Sequence, residues 1–303
     1  MRRRPLLLAL PAFLALAASP ALAAATVPVR VVTSISILAD MVENVGGDHV
    51  TVTSLVGPDG DAHAFEPSPA NAKALAEAQL VVVNGLGLEG WLDRLVAASG
   101  YKGPVVVATA GIEPHRMEED GEEVTDPHAW QDLADGAIYV RNIAQGLTAA
   151  DPAHAADYGA RAKAYAQQLA ATDAWVREEL AKVPVAQRRV VSSHDAFGYF
   201  AAAYGVTFVA PQGMAETAEP SAADLRRLID QIRQEKIKVL FLENALSPRL
   251  IEQIAQETGA MVGGTLYADA LSPEGGPADS YLGLFRHNVP LLRDAMLASG
   301  GQG

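Results

Sequence analysis

Eight short, continuous runs of β-branched and apolar residues alternate with Ala/Leu-rich stretches along the 303-residue chain, and this pattern limits the fold more than any other feature. In the first half they are Val29–Thr33, Val50–Leu55, Leu80–Asn84 and Pro104–Ala108; in the second, Arg189–Ser192, Val206–Val209, Lys238–Leu242 and Ala260–Gly264. Strands covered on both faces by helices have no solvated side and read as unbroken apolar runs rather than as alternation. Four runs followed by four more predict an α/β protein of two lobes, each a parallel four-stranded sheet flanked by helices. Helix starts between the runs support this. Ser68-Pro69 places an N-cap before an N1 proline, and Ser221-Ala-Ala-Asp224 puts an acid in a first turn.

Between the halves, Asp151 to Val183 is Ala-rich, has Gly159 as its single glycine, and lacks proline after Pro152 until Pro184. A helix of ~30 residues rises ~45 Å, which exceeds one lobe. The stretch is therefore expected to run as one backbone helix along both lobes and to limit hinge closure. The expected organisation is a signal peptide at 1–23, an α/β lobe at 24–150, the linking helix at 151–184 and a second α/β lobe at 185–303. The signal is read from Arg2, Arg3 and Arg4, an apolar run from Leu6 to Ala18, and a small-residue cleavage site at Pro20-Ala-Leu-Ala23. Its apolar core falls short of the ~20 residues a membrane span requires. Export to the periplasm, with no membrane insertion after cleavage, is the expectation.

With 36 acidic against 23 basic residues, the chain has a net charge of −13 and no basic surface to offer phosphates, so nucleic acid is excluded as a partner. The absence of cysteine excludes disulfides, thiolate metal sites and a cysteine nucleophile. Any metal site must use imidazole, carboxylate or backbone oxygen. An acidic stretch, Glu113 to Asp126, carries seven carboxylates without apolar periodicity and is expected to be a solvated, mobile loop.

Open α/β sheets bind ligands beyond the carboxyl ends of their strands. Four chemistry-bearing residues fall there: His63 after the second run, His128 after the fourth and the acidic stretch, His194 directly after the fifth, and Asp269 after the eighth. Three neutral imidazoles and one carboxylate make an N/O set suited to Zn²⁺. Taken singly, His63 could solvate a turn, His128 cap a helix, His194 sit in a core and Asp269 be an ordinary loop acid. His49, His154 and His287 are expected to face solvent, and His115 belongs to the acidic stretch.

Four ordered motifs, Asp61-Ala-His63-Ala-Phe-Glu-Pro-Ser-Pro, Asp126-Pro-His128-Ala-Trp, Ser193-His194-Asp-Ala-Phe-Gly-Tyr-Phe200 and Leu266-Tyr-Ala-Asp269-Ala-Leu-Ser, resemble the metal-contacting segments of the cluster A-I solute-binding proteins of ABC metal importers, the TroA/ZnuA/AztC-like group. Gly85 to Trp91, Ser247 to Ile254 and Gly275 to Tyr281 extend the likeness over the whole exported chain. The resemblance implies two lobes joined by a spanning helix, a divalent ion between them, and His63, His128, His194 and Asp269 as its ligands. It also implies an ABC permease and ATPase as partners; a periplasmic metallochaperone is a further candidate, and the chain is expected to be monomeric. Members that take manganese or iron often have Glu where this chain has His194, so Zn²⁺ is the expected cargo ahead of Mn²⁺ or Fe²⁺. The long His-rich loop of the best-known zinc members is missing, since this stretch offers only His115.

No catalytic residue is expected, and none of the phosphate-loop, nucleophile-elbow or H-E-x-x-H patterns occurs. The alternative from another class is a periplasmic zinc hydrolase, in which Asp269 would stand off an open metal position as a base. Glu66, Asp195 and Glu243 lie near the ligand loops in sequence and are candidates to accept the second N–H of a ligating imidazole; Glu243 ends the seventh run, where it could reach inward, but is expected to cap the next helix or lie at the surface. Trp130 and Phe197 are read equally as water-excluding walls or as ordinary packing.

Overall fold

The computed structural model describes residues 27–119, 122–210 and 222–300. The proposed signal peptide and Ser221 lie outside the described residues. The first lobe runs β1 (Val29–Thr33), α1 (Ser36–Gly46), β2 (Val50–Ser54), α2 (Pro69–Glu77), β3 (Leu80–Val83), α3 (Leu92–Ser99) and β4 (Val105–Val107). Its sheet has the order β2-β1-β3-β4, with all pairs parallel. The central strands owe their unbroken apolar sequence to burial: Leu80, Val81 and Val82 are fully enclosed. Each such side chain contributes about 1.5–3 kcal/mol of transfer free energy. The edge strand β2 alternates instead, with Thr51 and Thr53 outward. As the sequence implies, α2 begins at a Ser68 cap, where Ser68 and Asn71 exchange side-chain and backbone hydrogen bonds.

The acidic stretch is not a loop. Residues Arg116–Glu119 (β5) and Glu122–Thr125 (β6) pair antiparallel, and Arg116 ties the strands by hydrogen bonds to Glu123 and Thr125. Met117, buried and paired with Val124, supplies the apolar contact that the glutamates hide from a reading of periodicity.

Two helices follow, α4 (Leu133–Ala150) and α5 (Ala155–Ala181). The long helix is shorter than expected at its start, because Asp151 leaves helical geometry and Pro152–His154 forms a separate 3-10 turn. From Ala155 it is a single helix of 27 residues, about 40 Å long, passing unbroken through Gly159. It packs on α1 and α4 of the first lobe and on α6 (Gly198–Tyr204) and α9 (Tyr281–Gly300) of the second.

The second lobe contains β7 (Arg189–Val191), α6, β8 (Thr207–Val209), α7 (Ala222–Gln234), β9 (Val239–Glu243), α8 (Arg249–Thr258), β10 (Met261–Leu266) and α9. Its parallel sheet has the order β10-β9-β7-β8. One continuous core joins the first lobe to the inner face of this second sheet, including Phe200, Phe241, Tyr281 and Phe285. A separate cluster holds α7 and α8 on the outer face through Leu228, Ile232, Leu240 and Ile254. The two carboxyl edges thus face each other across a packed junction.

Three histidines expected in solvent are half-buried. His49 stacks on His154 with centroids 3.8 Å apart while its Nε2 contacts Asp157, and His287 Nε2 lies 2.9 Å from the Thr265 carbonyl. His115, placed by sequence in the acidic stretch, stacks flat on Tyr199 at 4.0 Å.

Candidate metal centre

Each expected ligand sits at a strand's carboxyl end because a local device turns it inward. After β2, the Asp61 carboxylate accepts the main-chain N–H groups of His63 (2.8 Å) and Ala64 (3.1 Å), closing an Asx-turn. Trp91 Nε1 donates to the Ala62 carbonyl at 3.1 Å and pins the same loop. Past the β5–β6 hairpin, Asp126 Oδ1 accepts both the His128 N–H (2.9 Å) and its ring Nδ1 (2.7 Å). Asn84 Nδ2 donates to the Pro127 carbonyl at 2.9 Å, and Tyr139 fixes that amide from below. Gly198 permits this approach, since a Cβ there would lie 2.4 Å from Asp126 Oδ2.

His194 leaves β7 beside the end of β9, where Glu243 Oε1 accepts the N–H groups of Ser193 (2.7 Å) and His194 (3.1 Å). The other oxygen, Oε2, lies 2.6 Å from His194 Nδ1. Glu243 therefore neither caps a helix nor reaches the surface: it is 4% exposed, because pairing of β9 with β7 brings the two strand ends side by side. After β10, the Ala268 carbonyl accepts from Trp130 Nε1 (2.8 Å) and Gln131 Nε2 (2.9 Å), which presents Asp269 to the cleft.

These devices bring all four side chains together. His63 Nε2 is 3.2 Å from His128 Nε2 and 3.2 Å from Asp269 Oδ2; His194 Nε2 is 3.1 Å from Asp269 Oδ2, and His128 Nε2 is 3.7 Å from Asp269 Oδ1. Ligands ~2.0–2.1 Å from a tetrahedral ion are separated by ~3.3 Å, close to these spacings. His128, His194 and Asp269 are buried, and His63 is the one of the four nearest solvent, with its side chain 10% exposed.

The donor chemistry fits a cation. With Nδ1 of His128 and His194 turned to carboxylates, the Nε2 atom of each faces the centre and offers its lone pair there once it gives up its proton. His194 Nε2 and Asp269 Oδ1 are buried without a hydrogen-bond partner, and His194 Nδ1 and Glu243 Oε2 meet as a close ion pair without hydrogen-bond geometry. Burial alone would lower the pKa of His194, but the carboxylates of Glu243 and Asp269 outweigh it and hold it well above the usual imidazole value. Burial would likewise raise Asp269, yet His194 and His128 keep it well below the usual carboxylate range. The pocket thus favours positive charge at its centre. Asp269 lies within ligand distance of the same point as the imidazoles rather than apart from it, which is not the placement of a hydrolase base.

Of the other neighbours in sequence, Glu66 is exposed, and Asp195 is held half-buried, its carboxyl raised by burial and by Asp126. Trp130 both packs edge-on against His128 and donates to Ala268, whereas Phe197 packs ordinarily, stacked on Phe208. Sequence reasoning missed Asp126, Gln131 and Trp91. Only Asp126 carried a signal, a carboxylate two residues before an expected ligand.

Residues 31–295 match the family model of ZnuA, the zinc-uptake complex component A, periplasmic. The chain belongs to this family. It is similar to the iron-binding protein YfeA of Yersinia pestis, 36% identical over 264 residues that cover 87% of this chain and 85% of that one. The manganese-binding lipoprotein MntA of Bacillus subtilis is 33% identical over 273 residues, 88% and 89% of the two chains. Among solved structures, the periplasmic zinc-binding protein TroA from Treponema pallidum superposes with a TM-score of 0.84 at 29% identity, covering 89% of this chain and 99% of that one. ZnuA-family members are substrate-binding components of ABC metal importers, working with a permease and an ATPase, and not enzymes. The two-lobed fold with its spanning helix is theirs.

Proposed function

We propose that this protein captures one Zn²⁺ ion in the periplasm, on His63, His128, His194 and Asp269, and hands it to the permease of an ABC importer. The observation that carries this reading is the convergence of three imidazole Nε2 atoms on one buried carboxylate, with carboxylates behind two of the rings. Three nitrogens and a carboxylate form a softer set than one with two carboxylates, and they suit Zn²⁺ over Mn²⁺. The lobes of the working protein are residues 24–150 and 185–303 about the linking segment at 151–184 that holds α5, after loss of a signal at 1–23, and it acts as a monomer. No helix among the described residues is long and apolar enough to cross a membrane. A periplasmic metallochaperone is a candidate donor of the ion.

The second reading, a Mn²⁺ or Fe²⁺ receptor, draws on the names of MntA and YfeA and on Asp269, both of whose oxygens lie near an imidazole. Because nearly every N/O site prefers Zn²⁺ to Mn²⁺ intrinsically, competition in the tube is not decisive by itself. Metal analysis of protein isolated from the periplasm, followed by zinc–manganese competition on the stripped form, tests the reading. One equivalent of zinc in both is expected. Manganese or iron retained from cells replete in zinc overturns it.

A further inference from the structure

Three of the four ligands are held by the first lobe, although Asp269 belongs by sequence to the second. The main chain around Asp269 is fastened across the cleft on both sides. Before it, Trp130 and Gln131 both donate to the Ala268 carbonyl; after it, the Leu271 N–H donates to Ser36 Oγ (3.0 Å) and the Leu271 carbonyl accepts from the Asp59 N–H (3.0 Å). All four partners come from the first lobe.

The second lobe grips the same segment mainly one residue earlier. Asn288 of α9 brackets Tyr267, accepting its N–H at 3.0 Å and donating to its carbonyl at 2.7 Å. Beyond Ala268, the second lobe reaches Ala270 through Asn244 Nδ2 at 3.3 Å, and that amide donates more closely to Asp59 Oδ1 of the first lobe, at 2.8 Å. The change of allegiance falls between Tyr267 and Ala268. His194 is the opposite case. Its N–H and ring Nδ1 face Glu243, and its carbonyl accepts from Ser192 Oγ and the Ala196 N–H, all in the second lobe.

We propose that His63, His128 and Asp269 form a capture half-site on the first lobe, that His194 is the locking ligand, and that Gln131 and Ser36 are positioning residues for Asp269. The proposal rests on the metal-receptor reading and adds an order of events to it. A cation first meets two imidazoles and one carboxylate already assembled, and His194 completes the shell as the second lobe seats. When the lobes part, the His194–metal bond is the one that breaks.

Stopped-flow kinetics on the chelator-stripped exported chain, with Zn²⁺ as probe and a chromophoric chelator as acceptor, separates association from dissociation. His194→Ala should keep one zinc per chain and an association rate within about twofold of the parent, because affinity differences reside mostly in dissociation. Its dissociation should quicken on the order of a hundredfold, since losing a ligand costs at least as much as losing its outer partner. His63→Ala and Asp269→Ala should instead slow association as well. Gln131→Met, which keeps volume but removes the donor, and Ser36→Ala should each quicken dissociation about fivefold, as expected for one hydrogen bond. Both should also shift the visible spectrum of the Co²⁺ form, while the melting temperature of the stripped protein shows that the fold is kept. If the parent binds zinc but His194→Ala slows association as much as Asp269→Ala does, or if the Co²⁺ spectra of Gln131→Met and Ser36→Ala match the parent, the half-site is overturned and the receptor reading stands. If the parent binds no zinc, both fall.

Discussion

Replacing Glu243 by Gln conserves shape but reverses what is asked of His194. In the parent, Oε1 accepts two main-chain N–H groups and Oε2 lies 2.6 Å from Nδ1, an ion-pair contact that favours a proton on Nδ1 and leaves Nε2 as the atom a cation takes when it displaces the second proton. In Glu243→Gln, the amide oxygen keeps the two main-chain bonds and the NH₂ is left facing Nδ1. Two donors cannot share that contact. The imidazole relieves it by moving its proton to Nε2, which is then unable to bind metal. The lost contact between ring and carboxylate, taken at the worth of a charged hydrogen bond, is about 1.5–3 kcal/mol. At about 1.4 kcal/mol per tenfold, the affinity should fall about 10–150-fold. That range agrees with the roughly 10–100-fold typical of outer partners of metal-binding histidines. Competition against a fluorescent zinc chelator reads the affinity, and ¹⁵N shifts of the labelled ring read the tautomer. An affinity within about twofold of the parent, or a ring still protonated at Nδ1, would refute the reasoning.

Three further perturbations test the surroundings of the site. Gly198→Ala drives a Cβ into the Asp126 carboxylate that orients His128; zinc affinity should drop about tenfold, with no gain in melting temperature despite the better helix former in α6. The raised pKa of His194 makes the stripped protein more stable below the unfolded imidazole value of about 6.5, an advantage lost as pH rises through the raised folded value. Asp269 has the opposite sign, its contribution being present above about 3.9 and lost as pH falls through its lowered folded value. Metal must displace the proton on His194, so zinc affinity should keep climbing above pH ~6.5; a flat titration there, by calorimetry, contradicts the assignment. Zinc at a hundred times its Kd should add about 2.7 kcal/mol to unfolding, and chelator should abolish the shift in melting temperature.

The sheets were legible because strands such as β3, buried on both faces, spell out their burial as Leu80-Val-Val-Val83. The long helix was legible too, since exposed Gly159 costs it only local propensity; a Cβ there would touch nothing within 4 Å. The β5–β6 hairpin was not, because it depends on one buried methionine and on cross-strand partners rather than on any apolar period. That His63, His128, His194 and Asp269 would gather could be read from the rule that sites lie at strand carboxyl ends. Their supports could not. Whether the carboxylate of Glu243 points to solvent or to His194 depends on the pairing of β9 with β7, a contact between residues about fifty positions apart. The same holds for Gln131, which acts on Ala268 from the other lobe at a separation of 137 residues.

The most direct measurement is a crystal structure of the zinc-loaded protein with anomalous data collected on both sides of the zinc edge. A single strong zinc peak is expected in the cleft, about 2.0–2.2 Å from Nε2 of His63, His128 and His194 and from an oxygen of Asp269. A zinc peak that leaves any of those four side chains unbound, or that lies elsewhere on the molecule, would contradict the assignment.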